Sequence, residues 1–177
     1  MLHDLQERKL RHFFDVFDSD HDGLLEESDF EAYIQRMGEA TGQRKGWDEL
    51  QSRWMFVWTT LKAMGDVDRD DVVSPKEWLS LADKLLQSEE GYTAIMHGIG
   101  TTTFDLLDAD GDGRISSDEW RAFFWAHGIE EATDDVFPRL DTDGDGYVDR
   151  DETMANLREF FYSDDPDAPG NVFFGPV

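Results

Sequence analysis

The sequence predicts an all-α protein of four helix–loop–helix units, arranged as two paired lobes that pack into one compact unit. Three observations lead to this prediction. Twelve-residue segments rich in aspartate recur four times along the 177-residue chain, which indicates an internal repeat. Apolar residues flank these segments at helical spacing. Hydrophobic residues make up 39% of the chain and aromatic residues 13%, which is enough for a core in spite of the high charge.

The charge balance and the absence of cysteine exclude several classes of function. The chain has 41 Asp and Glu against 16 Lys and Arg, a formal net charge of −25, and no Cys. Such acidity argues against nucleic-acid binding through basic patches, and disulfides, thiolate zinc sites and thiol catalysis are excluded. The longest strongly apolar run, Trp54 to Trp58, is too short to span a bilayer. Because the N-terminal residues also lack a signal-peptide core, we expect a cytoplasmic protein without a membrane partner.

The aspartate-rich segments are loop one (18–29), loop two (66–77), loop three (108–119) and loop four (141–152). In each loop, carboxylates stand at positions one, three, five and twelve, and position seven can offer its backbone carbonyl. Alternating oxygen ligands closed by a carboxylate at position twelve supply the roughly six to eight oxygens that Ca²⁺ prefers, as in an EF-hand. The predicted metal ligands of loops one, three and four are Asp18, Asp20, Asp22, Leu24, Asp29, Asp108, Asp110, Asp112, Arg114, Glu119, Asp141, Asp143, Asp145, Tyr147 and Glu152. Those of loop two are Asp66, Asp68, Asp70, Val72 and Glu77.

The flanks of the loops predict the EF-hand helices and the pairing of the loops. Loop one, for example, follows Phe13 and Phe17 and precedes Phe30 at helical offsets. We expect short antiparallel β-bridges to pair loop one with loop two, and loop three with loop four. The domains are then an N-terminal pair at residues 1–92 and a C-terminal pair at residues 93–177. The bridges should form at position eight, which is apolar in every loop: Leu25, Val73, Ile115 and Val148.

The loops differ at positions six and twelve. Loops three and four are complete, and both are predicted to bind Ca²⁺. In loop one, Asp29 is one methylene shorter than the usual glutamate, which disfavours capture of the ion by two oxygens and favours the six-fold shell of Mg²⁺. In loop two, Asp71 replaces the position-six glycine, and a left-handed backbone there costs an aspartate about 1 kcal/mol. We predict three functional sites, with loop two weak or inactive.

With four such loops, a defective second loop and the C-terminal residues Phe173-Phe174-Gly175-Pro176, the chain resembles the sarcoplasmic calcium-binding proteins and their bacterial relative calerythrin. The resemblance implies a compact pair of EF-hand lobes and a cytosolic calcium-buffering role. It also implies that the tail, residues 163–177, folds back onto the core and that the second hand often does not bind. The intact Glu77 of loop two departs from a fully lost site and leaves weak binding open.

Three functions compete for a chain of this kind. A calcium buffer is our first interpretation, because the chain has only six Met and target-recruiting sensors expose Met-rich grooves. The alternative is a calcium sensor or signal modulator that recruits a protein target on Ca²⁺ binding; the sequence does not indicate such a target, and we expect a monomer. Coelenterazine-type photoproteins share the four-hand architecture and hold an oxygenated luciferin with His, Trp and Tyr side chains. Similarity to this family is disfavoured, because residues 153–177 contain Tyr162 but neither His nor Trp. We therefore expect no enzymatic activity and no catalytic or organic-cofactor site.

Overall fold

The computed structural model describes residues 2–42, 46–129 and 133–177. Within these ranges the chain is mostly helical, as the sequence predicts. The helices are α1 (Asp4–Phe17), α2 (Glu27–Thr41), α3 (Trp47–Gly65), α4 (Pro75–Leu85), α5 (Glu89–Tyr92), a π-helical turn (Thr93–His97), α6 (Gly98–Leu107), α7 (Ser117–Ala126), α8 (Thr133–Leu140), α9 (Arg150–Tyr162) and a 3₁₀ turn (Pro169–Val172). The strands are β1 (Arg114–Ser116) and β2 (Tyr147–Asp149). No helix in the described ranges is both long enough and apolar enough to cross a membrane.

The loops pair through position eight, which confirms the predicted β-bridges. Leu25 and Val73 form an antiparallel bridge between loops one and two, with N–H···O distances of 3.0 and 2.8 Å. Strands β1 and β2 join loops three and four in the same way, with Ile115 opposite Val148. All these side chains are fully buried. In each pair of EF-hands, the bridge therefore holds the two loops side by side, and the helices extend away from them.

A single hydrophobic core joins the two halves of the chain. Phe13 of α1 stacks on Trp78 of α4 with ring centroids 5.3 Å apart and meets Phe174, near the C-terminus, at 5.0 Å. Helix α2 packs against α7, and α3 packs against α6. The last two of these contacts each join a helix of the first two hands to a helix of the last two, and the Phe13–Phe174 contact joins α1 to the tail. The predicted compact unit is confirmed, and its cohesion comes from burying aromatic side chains that have a large apolar area.

Arg36 on α2 links loop one to the opposite half of the molecule. Its Nε donates a hydrogen bond to the carbonyl oxygen of Ala126, at the end of α7, over 2.7 Å. Its terminal nitrogens donate to Oγ of Ser19, the second residue of loop one, at 3.3 and 3.2 Å. A cation at a helix C-terminus interacts favourably with the last carbonyl groups. One side chain thus connects the first metal loop to the exit helix of the third hand.

The segment that follows α9 packs against the core. Residues 168 and 170–175 are buried, and Phe173 and Phe174 are each only 4% exposed. Phe173 meets Trp120 of α7 edge-on with ring centroids 5.3 Å apart. His12 of α1 places Nε2 2.9 Å from the carbonyl oxygen of Phe174. The tail thus fills the space between the first helix and the third hand.

Lys9 is a fully buried cation that ties α1 to α9 and the tail. Its Nζ donates to the carbonyl oxygens of Glu159 and Ser163 at 2.9 and 2.7 Å and to Oδ1 of Asn171 at 2.9 Å. Burial lowers the pKa of Lys9 to about 8, so the ammonium form still predominates at neutral pH. Three acceptors use all three N–H groups of the ammonium. Lys9 thus donates to the carbonyl oxygen of Ser163, just beyond α9, and adds a second hydrogen bond to the carbonyl oxygen of Glu159, which also accepts the amide of Ser163.

We expect Lys9→Met to lower the free energy of unfolding by about 1–3 kcal/mol, because it leaves buried acceptors without a donor. Urea unfolding of the calcium-saturated protein measures this change. Lys84→Met, at an exposed position of α4, is the control and should change the stability little. An equal effect of the two substitutions would contradict the role assigned to Lys9.

His127 is buried in a neutral form between the two halves. Its Nδ1 lies 2.7 Å from the carbonyl oxygen of Phe123, and its ring lies 4.9 Å from that of Tyr33 and 5.7 Å from that of Phe174. Burial lowers the pKa of His127 from its ordinary value of 6.5 to about 3. In the unfolded chain this histidine binds a proton below pH 6.5, whereas the folded protein does not until about pH 3. Its contribution to stability is therefore lost as the pH falls through that window.

We expect His127→Phe to make folding less sensitive to acid. Between pH 6.5 and about pH 4.5, the wild-type protein should lose about 2 kcal/mol more stability than the variant, because one bound proton corresponds to about 1.4 kcal/mol per pH unit. Denaturant unfolding at a series of pH values measures this difference. His97→Phe, at an exposed position, is the control and should keep the wild-type pH profile. If His127→Phe kept it too, the buried neutral histidine would not contribute to acid sensitivity.

Candidate metal centre

Carboxylates converge in each of the four predicted loops. In every loop, three carboxylate oxygens from different residues lie within 4.8 Å of one another. In loops one and two the converging groups come from positions one, three and five, and in loops three and four they come from positions one, three and twelve. The four sets are Asp18, Asp20 and Asp22; Asp66, Asp68 and Asp70; Asp108, Asp110 and Glu119; Asp141, Asp143 and Glu152.

The carboxylate at position one holds each loop in its turn. In loop four, Asp141 accepts hydrogen bonds from the amides of Gly144 at 2.8 Å and Gly146 at 2.9 Å. The amide of position six bonds the position-one carboxylate in the other loops as well, over 2.9 to 3.1 Å. Asp112 and Asp145, at position five, accept the amide of position seven at 2.9 Å. Backbone amides thus orient the carboxylates before any ion is considered.

The carboxylate at position twelve is also part of the helix that leaves the loop. In loop four it is the third residue of α9, where Glu152 accepts the amide of the N-cap residue Asp149 while Asp149 accepts the amide of Glu152, a capping box. Glu152 reaches the amide of Thr142, position two, as well. The same pair of amides, from positions two and nine, bonds Asp29, Glu77 and Glu119 in the other loops. One side chain therefore caps a helix and closes a loop.

Burial distinguishes Asp29 of loop one from its glutamate counterparts. Burial opposes ionisation of Glu119 and Glu152, but their hydrogen bonds outweigh it, and the pKa of both carboxyls is lowered. Hydrogen bonds from Ser74 likewise lower the pKa of Glu77. In contrast, burial raises the pKa of Asp29, although its carboxylate accepts the same two amides. The shorter side chain holds its charge deeper in the protein, where ionisation is less favourable.

Positive φ angles recur at two positions of each loop. Position six adopts them as predicted, and Asp71 does so at +74°. The sequence analysis did not identify position four, whose φ is also positive in all four loops. Glycine occupies position four in loops three and four, which was the available sequence signal, whereas loops one and two have His21 at +60° and Arg69 at +63°. A non-glycine residue in this region is strained, so loop two has two strained residues, loop one has one, and loops three and four have none at these positions.

The side chain of Asp71 is paired with a cation from the preceding helix. Nζ of Lys62 lies 2.7 Å from Oδ1 of Asp71, and both side chains are partly or largely exposed. This hydrogen bond raises the pKa of Lys62. Nearby, the charge of Asp70 raises the pKa of Asp68. Loop two therefore combines backbone strain, repulsion between carboxylates and a competing ammonium group.

Position seven has a further contact in the second pair of hands. The guanidinium of Arg114, in loop three, hydrogen-bonds Oδ2 of Asp112 at 3.1 Å and lies 3.9 Å over the ring of Tyr147, position seven of loop four. Because the side chains of Arg114 and Tyr147 contact each other, the group that position seven can offer to an ion is its backbone carbonyl. The atoms that converge in each of the four loops are carboxylate oxygens. These are hard metal ligands, which fit Ca²⁺ or Mg²⁺. The assignment of each residue as a ligand stays a prediction.

The helix–loop–helix units, their paired loops and their carboxylate sets define an EF-hand protein. The EF-hand domain pair family matches residues 99–158, and the EF hand family matches residues 10–34. Sarcoplasmic calcium-binding proteins II, V, VI and VII of Branchiostoma lanceolatum are 30% identical over 129 residues, covering 69% of this chain and 70% of theirs. The chain therefore belongs to the family of sarcoplasmic calcium-binding proteins.

Two further comparisons agree with this assignment. Calerythrin of Saccharopolyspora erythraea is 28% identical over 129 residues, which cover 70% of this chain and 73% of calerythrin. The solved structure of a sarcoplasmic calcium-binding protein from amphioxus superposes with a TM-score of 0.76, covers 100% of both chains and is 24% identical. The resemblance inferred from the four loops is confirmed.

We expect Asp71→Gly to tighten calcium binding at loop two about fivefold, because it relieves about 1 kcal/mol of backbone strain. Calorimetric titration with Ca²⁺ should detect three sites in the wild-type protein and a stronger second site in the variant.

Asp71→Asn is the matched comparison, since asparagine removes the charge but keeps a side chain at the positive φ. A larger gain for glycine than for asparagine would assign the effect to strain. Unchanged stoichiometry and affinities in the glycine variant would contradict this account of loop two.

Proposed function

We propose that the protein is a cytoplasmic buffer of Ca²⁺, and of Mg²⁺ when Ca²⁺ is low, and that it works as a monomer. In this proposal loops one, three and four bind, loop two is weak or inactive, and the chain has no enzymatic activity. The binding units are the hand pairs 1–92 and 93–177. One observation carries the proposal: the apolar faces of the EF-hand helices are buried in one core that both halves share.

A shared core opposes the opening that a calcium sensor needs. A sensor changes the angle between its helices on binding Ca²⁺ and exposes an apolar groove. Here the ring centroids of Tyr33, on α2, and His127 are 4.9 Å apart, and those of Phe13, on α1, and Phe161, on α9, are 5.8 Å apart. Truncating one buried aromatic residue costs about 3–5 kcal/mol, so separating several such contacts costs considerably more. Bound ions can drive that separation only by binding the open state more tightly than the closed one, and each tenfold difference in affinity supplies about 1.4 kcal/mol.

The methionines also favour a closed molecule. Target-binding grooves use flexible methionine side chains to adapt to different partners. In this protein Met37 is fully buried, and Met55 and Met96 are partly buried against the core. Met64, on α3, is 52% exposed, so the described methionines are spread between the core and separate surface positions. The arrangement supports a buffer more than a sensor.

The electrostatics of the loops support a protein whose folding depends on metal. Each loop holds several carboxylates within a few ångströms, as in the cluster of Asp141, Asp143 and Glu152. Without a cation these groups repel one another and loosen the compact state. Binding of Ca²⁺ or Mg²⁺ removes the repulsion, so that part of the binding free energy appears as folding stability. A buffer that is occupied by Mg²⁺ at rest would stay compact.

Loop one is the proposed site for Mg²⁺. The side chain of Asp29 is one methylene shorter than that of glutamate and is buried, which disfavours giving two oxygens to Ca²⁺. Mg²⁺ needs a smaller octahedral shell and retains several waters. These features support a loop that binds Ca²⁺ more weakly than loops three and four and exchanges it with Mg²⁺.

We expect a hydrophobic dye to fluoresce most with the metal-free protein, less with the Mg²⁺ form, and little differently with the Ca²⁺ form. The fall reports compaction once the carboxylate charge is neutralised. Phe56 is 59% exposed and offers dye an apolar contact that does not depend on metal, so the variant Phe56→Gln serves as the baseline control.

A rise in fluorescence specific to Ca²⁺ would contradict the buffer and identify a sensor with an opened groove. Light emission on adding coelenterazine and then Ca²⁺ would contradict the absence of enzymatic activity. A Ca²⁺ titration that is unaffected by Mg²⁺ would remove the Mg²⁺ part of the proposal and leave a pure calcium buffer.

A further inference from the structure

In loop one, the carboxylate at position twelve lies outside the set of carboxylates that converge. That set comes from positions one, three and five, whereas position twelve belongs to the sets of loops three and four. Glu77 of loop two also lies outside its set, but a glutamate has one more rotatable bond with which to reach an ion. Asp29 lacks that bond. Its carboxylate can therefore come closer to an ion in loop one only if the start of α2 moves with it.

Arg36 ties helix α2 to two other parts of the protein. It lies seven residues after Asp29, about two turns further along α2 and on the same side of the helix. Its Nε donates to the carbonyl oxygen of Ala126 over 2.7 Å, and its terminal nitrogens donate to Oγ of Ser19 at 3.3 and 3.2 Å. We call these hydrogen bonds the α2 clamp. Because both acceptors lie outside α2, the clamp fixes the helix relative to α7 and to the start of loop one.

Ser19 connects the α2 clamp to the carboxylate of Asp29. The amide of Ser19 donates to Oδ1 of Asp29 at 2.9 Å, and its hydroxyl, which accepts from Arg36, donates to the carbonyl oxygen of Phe17 at 3.3 Å. Burial lowers the pKa of Arg36, and the charge of Asp29 is among the groups that oppose this shift. The guanidinium is thus close enough to act on the position-twelve carboxylate through both hydrogen bonds and charge.

The two residues of the α2 clamp are not shared by the other hands. At position two, the counterparts of Ser19 are Val67, Ala109 and Thr142. Seven residues after position twelve, the counterparts of Arg36 are Lys84, Ala126 and Glu159. The helix–loop–helix geometry therefore does not require either residue, and an effect of the clamp on ion binding is expected at loop one alone.

Hydrogen bonds of this kind resist a small shift of α2 more than the core does. The apolar side chains that α2 buries include Phe30, Ile34 and Met37. Their contacts are non-directional, and packed helices can slide past one another by small amounts. In contrast, a hydrogen bond weakens steeply as its angle departs from linear, and bonds from a charged donor are among the strongest. Releasing the clamp should therefore let the start of α2 move while its core contacts persist.

We propose that Arg36 is a positioning residue that sets the ion preference of loop one, because it holds α2 where Asp29 cannot give two oxygens to Ca²⁺. This inference rests on the proposed function, in which loop one exchanges Ca²⁺ with Mg²⁺. With α2 held, the loop supplies few oxygens and the ion keeps more waters, which suits Mg²⁺. With α2 released, Asp29 can approach and complete the larger shell of Ca²⁺. The charge of Arg36 repels both divalent ions alike, so only the clamp discriminates between them.

The test measures the affinities of loop one for Ca²⁺ and for Mg²⁺ in separate NMR titrations of the full-length, ¹⁵N-labelled protein. The amide of Gly23 donates to Oδ2 of Asp18 at 2.9 Å, so its signal reports on loop one. The corresponding amides of Gly113 and Gly146 report on loops three and four. The quantity compared is the ratio of Ca²⁺ to Mg²⁺ affinity at each loop.

We expect Arg36→Met to raise this ratio at loop one about fivefold, the change that about 1 kcal/mol produces, and to leave the ratios at loops three and four unchanged. Ser19→Ala is a milder second variant, which keeps the charge of Arg36 but removes one acceptor, and it should raise the ratio about twofold. Arg36→Lys keeps the charge but cannot hold both acceptors, so it should resemble Arg36→Met. Circular dichroism and urea unfolding check that each variant folds.

Two further measurements separate the α2 clamp from general effects. Arg11→Met is the matched control, because Arg11 lies seven residues before loop one on α1 and forms an exposed ion pair with Glu7; it should leave the ratio unchanged. In the Asp29→Glu background the longer side chain reaches the ion without a movement of α2. Adding Arg36→Met to that background should therefore not change the ratio.

Three results would overturn the proposal. An unchanged ratio at loop one in both Arg36→Met and Ser19→Ala would show that the clamp does not discriminate between the ions. An equal rise in both affinities would mean that Arg36 acts by charge alone. A change of ratio that persists in the Asp29→Glu background would mean that Arg36 does not act through Asp29. If the Gly23 signal of the wild-type protein responded to neither ion, loop one would not be a site, and the proposed function would fail there together with this inference.

Discussion

The carboxylate at position twelve connects the loops to the rest of the fold. In each hand it accepts amides from the second and ninth positions of the loop, and it is also the third residue of the exit helix. The start of the helix, the curvature of the loop and the position of the charge are therefore fixed together. Because position eight lies just before this cap, the β-bridge between paired loops depends on it too. A change at position twelve would disturb helix, loop and pairing at once.

The sequence predicts these local features well because they repeat at fixed spacing. Alternating aspartates, apolar position eight and the acidic position twelve each follow from a requirement that acts within twelve residues. Position four was missed, since glycine marks it in only two loops and His21 and Arg69 stand there in the others. In both loops the two amides that follow position four donate to the position-one carboxylate, which favours the left-handed turn at position four. For Asp71, the sequence indicated the strain, while the ion pair with Lys62 required the structure.

Long-range contacts could not be predicted from one sequence. The sequence around Lys9 is typical of a charged surface helix. The side chain is nevertheless fully buried, and its ammonium group donates to the carbonyl oxygen of Glu159, 150 residues further along the chain. Nothing in the sequence around His127 indicates that it is buried among rings from both halves. Arg36 connects Ser19 to Ala126 across the interface of the halves. Each of these residues has at least one backbone carbonyl oxygen among its partners, and a backbone partner leaves no pattern of side chains in the sequence.

The contacts of the tail impose an order on folding. Helix α1 is made well before α9 during synthesis, yet Lys9, His12 and Phe13 find partners among residues 159 to 174. The first EF-hand therefore cannot complete its packing while most of the chain is still being synthesised. Until then the nascent chain exposes one apolar side of α1, and the arrival of residues 168–175 closes the molecule in a final long-range step. The EF-hand at the start of the sequence is thus fully packed only after residues 168–175 have been made.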